Sequence, residues 1–141
     1  MEFTHAFYDA LPPEAAAIRQ AVFVEEQGFQ EEFDAIDRHA LHLLLFADGR
    51  PVGTLRVFTE DGGTRWHIGR VAVIQSARQL HLGRRMMDLA EAELRRRGAA
   101  GIEVSAQYRV QPFYEKCGFT SVGEVYLDEF CPHIRMVKEL E

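Results

Sequence analysis

Cysteine is nearly absent. Cys117 and Cys131 are the only two. Two thiols are too few for a disulfide framework, and that excludes the small cross-linked secreted scaffolds. No stretch approaches the ~20 apolar residues that would span a bilayer. The N-terminus carries Glu2 and no long apolar run, so it does not read as a signal peptide. There are no repeats, linkers or low-complexity segments. Basic charge is in deficit: 16 Lys and Arg face 22 Asp and Glu, a net charge of -6. A general nucleic-acid binder needs the opposite balance. The expectation is a cytoplasmic protein with neither membrane nor nucleic acid as partner. A chain of 141 residues, 47% hydrophobic, suffices for one domain, 1–141, with a substantial core.

A local absence is more informative. No acidic residue lies between Asp61 and Asp88, whereas Arg65, Arg70, Arg78, Arg84 and Arg85 all do. Within that stretch Val71, Val73 and Ile74 are β-branched and favour a strand. A tight polar turn follows. From Leu82 the period becomes helical, with Leu82, Met86, Ala90 and Leu94 on one face. A helix that starts in a short loop after a strand presents free N–H groups and a favourable dipole to phosphate. In an acidic chain this reversal of sign points to an anionic ligand.

The rest reads in order around that element. Phe3 to Tyr8 is a first strand, and Pro12 and Pro13 open a helix that runs to about Val24, before Gly28. Leu41 to Ala47 and Pro51 to Thr59 form a hairpin about Asp48-Gly49. Arg65 to Ile74 returns as the central strand. After the long helix, to about Arg97, comes a strand from Ile102 to Ala106. A strand–helix–strand unit of that length predicts a right-handed crossover and one parallel pair. A short helix from Val110 to Cys117 and two strands, 120–127 and 133–138, complete an α+β fold, layered α/β/α about a mixed, mostly antiparallel sheet. Ligands favour the ends of parallel strands where pairing switches direction.

Four further features stand outside that frame. Glu25, Glu26, Glu31, Glu32, Asp34 and Asp37 are either a solvated face or a funnel for a cationic acceptor. His39 and His42, with Asp34 and Asp37 nearby, lack a fourth well-spaced ligand, so no metal is expected. Cys117 follows Lys116, which could lower its pKa, but has no His partner in sequence. Arg95-Arg96-Arg97 sits at a helix C-terminus, where the dipole favours cations.

The central stretch resembles the motif of the GNAT acyltransferases, in which an Arg/Gln-x-x-Gly-x-Gly/Ala loop holds the pyrophosphate of acetyl-CoA. Arg78 and Gly83 match its outer positions, and His81 stands where the first glycine is usual. Phe113-Tyr114-Glu115-Lys116-Cys117-Gly118-Phe119 is similar to the family's Phe-Tyr-x-x-x-Gly-Phe segment. Arg19 through Glu26-Gln27 to Asp37, with Pro132 to Met136, is similar to the small bacterial ElaA-type branch. The resemblance implies a GNAT fold with its parallel pair splayed around the cofactor. It implies acetyl-CoA as co-substrate, contacted by Val71, Ala72, Val73, Gln107, Phe113, Tyr114 and the loop Arg78, Gln79, Leu80, His81, Leu82, Gly83 and Arg84. Tyr114 takes the place of the general acid. Glu26 and His133 are the residues expected to line the acceptor pocket. His67 lies four before Val71, so an unbroken strand sets both on one face. The implied activity is N-acetylation of a small-molecule amine. The alternatives are a non-catalytic acyl-CoA-binding module and an enzyme like the acyl-homoserine-lactone synthases, which share the fold. Oligomeric state stays open between monomer and homodimer.

Overall fold

The computed structural model describes every residue from Met1 to Glu141. Its strands are β1 (Phe3–Tyr8), β2 (Leu41–Ala47), β3 (Arg50–Phe58), β4 (Arg65–Val73), β5 (Gly101–Gln107), β6 (Thr120–Asp128) and β7 (Cys131–Glu139). They join one sheet in the order β1-β2-β3-β4-β5-β7-β6. Only β4 and β5 pair in parallel. Helix α1 (Pro13–Arg19) lies against one face, while α2 (Leu82–Arg96) and α3 (Gln111–Lys116) lie against the other.

The sheet is covered on both sides, so β2 is apolar nearly throughout. Leu43 and Leu45 enter the core under α2, and Leu44 enters the smaller core under α1. Asp48 and Gly49 both take positive φ, 50° and 81°, as the two-residue hairpin requires. Helix α2 buries Leu82, Met86, Ala90 and Leu94 as its spacing predicts, together with Met87. It presses on β3 so closely that a Cβ at Gly53 would lie 2.8 Å from Met86 Sδ. Met86 is fully buried. Gly53→Ala is therefore expected to cost about 1–3 kcal/mol, read as a lower midpoint in urea unfolding.

Two local features depart from the sequence expectation. The first helix continues past α1 as a wide π turn from Gln20 to Glu26. Arg78 is preceded by no simple turn: Gln75–Leu80 is a 3₁₀ helix.

The feature that shapes the site is a bulge in β4. Thr54 pairs with Ala72 and Arg56 with Gly69, so Leu55 alone opposes Arg70 and Val71. Arg70 has φ 53°. The extra residue reverses the alternation of side chains along the strand. Ile68 and Val71 both pack toward the α2 core, and Ala72 packs toward α1. His67 and Val71 therefore do not share a face. His67 stacks on Phe58, 4.9 Å between ring centroids, and faces Glu60 and Glu103.

Parallel pairing with β5 ends at Ile68 and Val104. Beyond that point β4 and β5 splay, and Gly69 to Val73 has no ladder partner on that side.

Candidate active site

Two cavities adjoin the splay, with β4 and α3 running past both. The inner one, about 190 Å³, is lined by Ile68 to Val71 of β4, Ser105 and Gln107 of β5, and Tyr114 of α3. Gln27, Glu32 and His133 also reach it. The outer one, about 450 Å³, is lined by Val73, Arg78, His81 to Arg84, Phe113, Lys116 and Cys117.

The outer cavity is built at the start of α2. His81 precedes the helix in the left-handed conformation, φ 58° and ψ 38°. That geometry costs a side chain roughly 1–2 kcal/mol and a glycine nothing. No side chain caps α2, so the backbone N–H groups of Leu82, Gly83 and Arg84 lack helical partners. Arg78, Arg84 and Lys116 surround them. A Cβ at Gly83 would come within 3.2 Å of the Phe113 ring. Free donors, positive charge and a glycine at the point of close approach fit a phosphate group.

Some expected contacts are placed elsewhere. Arg78 bonds bidentately to Glu26, at 2.8 Å on each oxygen, and its Nε donates to the Val73 carbonyl at 3.0 Å. The hydrogen bond from Arg78 holds the Glu26 carboxyl below its ordinary range. Glu26 is thus the partner of Arg78 and does not line the inner cavity; Gln27 does. Gln79 and Leu80 lie exposed on the 3₁₀ helix, and the Gln79 amide donates to Ser76 O. Neither lines either of the two cavities. The Ala72 side chain is buried toward α1, so only its backbone borders the splay. Gln107 reaches across the inner cavity and donates to Gln27 Oε1 at 2.8 Å.

In the inner cavity Tyr114 is packed edge-on between Phe113 and Phe119. Burial pushes its phenol above the ordinary tyrosine value. His133 is buried against Phe29 and Tyr126. Its Nδ1 lies 2.9 Å from Cys131 O. A carbonyl can only accept, so Nδ1 carries the proton and a neutral ring leaves Nε2 bare.

The acidic segment divides: Glu25 and Glu31 are exposed, while Glu32, Asp34 and Asp37 are held by arginines. Arg19 Nε donates to Glu32 Oε2 at 2.9 Å, and its Nη1 donates to Asp37 Oδ1 at 2.8 Å. Arg56 Nη1 joins Asp34 and Asp37, at 2.7 and 2.9 Å. Arg70, the bulge residue, joins Glu32 Oε2 at 2.9 Å and Asp34 at 3.3 Å. Three cations thus neutralise three carboxylates beneath the cavity. Glu31, Asp128 and Glu129 remain along the cavity's lining, opposite Arg109. Glu129, at the tip of the β6–β7 turn, accepts from the backbone N–H of Gln30 and Glu31. Phe130 beside it packs on Phe29, 5.0 Å between centroids.

The remaining candidates have structural surroundings. His42 is buried with Nε2 3.0 Å from Asp37 O, and His39 lies on the surface against Phe58. No group of three His, Cys, Asp or Glu side chains is arranged to hold a metal ion. Burial raises the Cys117 thiol, against any expectation of a reactive thiolate. Arg95, Arg96 and Arg97 pair with Glu91 and Glu93 on their own helix. No helix is long and apolar enough to cross a membrane.

Gln27, Glu32, Arg70 and Lys116 are the site residues that sequence reasoning missed. Arg70 and Lys116 had a signal, their place in the basic stretch and beside the aromatic pair. Glu32 was one acid among six, with nothing local to single it out.

This geometry can be set beside known proteins. The uncharacterized N-acetyltransferase YjcF of Bacillus subtilis is 32% identical over 129 residues, covering 89% of this chain and 91% of that protein. An acyl-CoA N-acyltransferase of Pseudomonas aeruginosa superposes with a TM-score of 0.82 at 31% identity, over 97% of this chain and 98% of its own. Escherichia coli ElaA superposes with a TM-score of 0.85 at 27% identity, over 98% and 99%. A profile of the acetyltransferase (GNAT) domain matches residues 9–140. With its fold, its splayed strands and nearly all its length accounted for, the chain belongs to the GNAT acetyltransferase family.

Proposed function

We propose that this protein transfers an acetyl group from acetyl-CoA to a primary amine of a small cationic acceptor, by direct attack of the amine on the thioester. The observation that carries the reading is the pair of cavities joined by β4. One is basic and rich in backbone donors, and the other is lined by Tyr114, His133 and carboxylates. The first suits a pyrophosphate. The unpaired edge of β4 between them suits an amide-bearing arm lying as an added strand.

Acetyl-CoA supplies the activated acyl group. The chain's residues supply position, polarisation and protons. The backbone of Val71, at the bulge, borders the splay, and its N–H is available to polarise a carbonyl there. His133 Nε2, bare in the neutral ring, is available to accept a proton from the amine. Tyr114, which lines the same cavity, returns one to the leaving thiolate. The charge of the acceptor follows from the acids along the inner cavity, Glu31, Asp128 and Glu129, which outnumber Arg109.

The test is calorimetric titration of acetyl-CoA into the wild type and into Gly83→Trp. The expected result is micromolar binding by the wild type and its loss in the variant, because an indole at Gly83 meets Phe113 and fills the outer cavity. Turnover over a panel of small amines then follows the bound donor. If the wild type binds neither acetyl-CoA nor longer acyl-CoAs, the transferase reading fails. If it binds them and acetylates no amine, an acyl-CoA-binding module replaces it.

A further inference from the structure

Glu32 is the most deeply buried carboxylate in the molecule, 4% exposed, and it still lines the inner cavity. Its two oxygens differ. Oε2 takes both guanidinium contacts, from Arg19 Nε and Arg70 Nε, each at 2.9 Å. Oε1 accepts no hydrogen bond from the protein, and it is not sealed off: the only fully buried side-chain polar atom without a partner is Arg56 Nε. The exposed remnant of Glu32 is therefore an unpaired carboxylate oxygen presented to the cavity that Tyr114 and His133 share.

An acceptor oxygen left open in this way is free to take a hydrogen bond from a ligand. Burial raises the Glu32 carboxyl, and Arg70 and Arg19 oppose that shift. The same two arginines fix its rotamer. Arg70 also donates to the Glu32 carbonyl, at 3.1 Å. Arg19 does so too, at 3.1 Å. The whole residue is clamped, main chain and side chain, with one lone-pair edge left over. A clamped, pre-oriented carboxylate oxygen at the end of a small polar cavity is a receptor for an N–H donor, and a charge-assisted one is strongest.

We infer that Glu32 is the anchor that receives the ammonium group of the acceptor, and that it makes the inner cavity selective for cationic amines over neutral or acidic molecules of the same shape. The inference rests on the proposed transferase reading only in calling that ligand an acceptor. The bulge supplies the device: without the extra residue, Arg70 would not project toward Glu32 and Asp34 beside the splay.

The experiment measures binding apart from turnover. Benzylamine and 1,4-diaminobutane are titrated into the full chain, with and without CoA, against benzyl alcohol and 1,4-butanediol. The wild type is expected to bind at least one ammonium probe and to bind its hydroxyl counterpart at least tenfold more weakly. Glu32→Gln should weaken the ammonium probe about tenfold to a hundredfold, while leaving CoA affinity unchanged. Glu32→Asp keeps a charge for Arg19 and Arg70 but withdraws the free oxygen by a methylene. It should show the same loss, and it decides the matter if Glu32→Gln does not fold. Wild-type affinity in a folded Glu32→Asp or Glu32→Gln overturns the anchor. So does a wild type that binds neither ammonium probe, or that binds amines and alcohols alike. Acetylation by the wild type is read separately. Amine binding through Glu32 with no acetyl transfer would keep the anchor and remove the transferase.

Discussion

Arg19→Met is expected to lower the stability of the protein by about 3–5 kcal/mol, the effect of breaking a buried ion network from one side. Arg19 is 1% exposed and sits where α1 passes into the π turn. Its guanidinium makes four hydrogen bonds: to Glu32 Oε2, the Glu32 carbonyl and both oxygens of Asp37. Methionine matches its length and apolar stem. What disappears is the charge, and two largely buried carboxylates lose one of their cations. For a domain of this size the loss corresponds to a fall in Tm of roughly 10–20 °C. Arg19→Lys should recover only part of it, because an ammonium cannot reproduce the planar fork that serves two carboxylates at once. A Tm within about 3 °C of the wild type would mean that Arg56 and Arg70 alone neutralise the cluster.

The same network predicts the response to acid. Burial works to raise the Asp37 carboxyl, but hydrogen bonds from Arg19 and Arg56 overcome it and hold the group at about 2, below the ordinary 3.8. A depressed carboxyl contributes stability that is complete above the unfolded value and is lost as pH falls through the folded one. For Asp37 that window runs from about pH 4 to pH 2 and is worth about 2 kcal/mol. Glu32 acts with the opposite sign, since burial raises it. Arg19→Met should therefore unfold at a higher pH than the wild type, as well as at a lower temperature.

These charges also show where sequence reasoning stops. Strands and helices were legible because their signals are local. The apolar run of β2, the Asp48-Gly49 turn and the four-residue spacing of α2 each specify an element within a few positions. The order of elements then implied the parallel pair and the splay beside it. The partners of Arg19, Arg56 and Arg70 lie 13 to 38 positions away, and no periodicity distinguishes a buried arginine from a surface one. Arg78 and Glu26, 52 positions apart, are invisible to each other in sequence for the same reason. The bulge at Arg70 was hidden differently: a β-rich run reads as continuous whether or not one residue is looped out. It decides the site nonetheless, because it turns His67 away and brings Arg70 toward Glu32.

Tyr114→Phe is expected to lower kcat about a hundredfold or more, the usual contribution of a positioned acid, with KM for acetyl-CoA little changed. The substitution is clean. The ring stays packed between Phe113 and Phe119, and the phenol has no protein hydrogen-bond partner to leave orphaned. Stability should therefore move by no more than about 0.5 kcal/mol, which separates a chemical role from a packing one. A phenol pushed above its ordinary value of ~10 would at first sight be a poor acid toward a thiolate of ~8.5. The objection dissolves when both groups are placed in the same cavity. Desolvation disfavours each anion, so the burial that raises the phenol also raises the thiol it must protonate. What remains is proximity, with the proton already held at the inner end of the splay. The raised value has its own consequence. Tyr114 stays protonated throughout the neutral and mildly alkaline range, so its ionisation should cause no fall in kcat below pH ~10. A Tyr114→Phe enzyme that turns over at the wild-type rate would remove Tyr114 from the chemistry and leave it as a core aromatic. A fall in kcat with donor affinity intact would fix the proton at that hydroxyl.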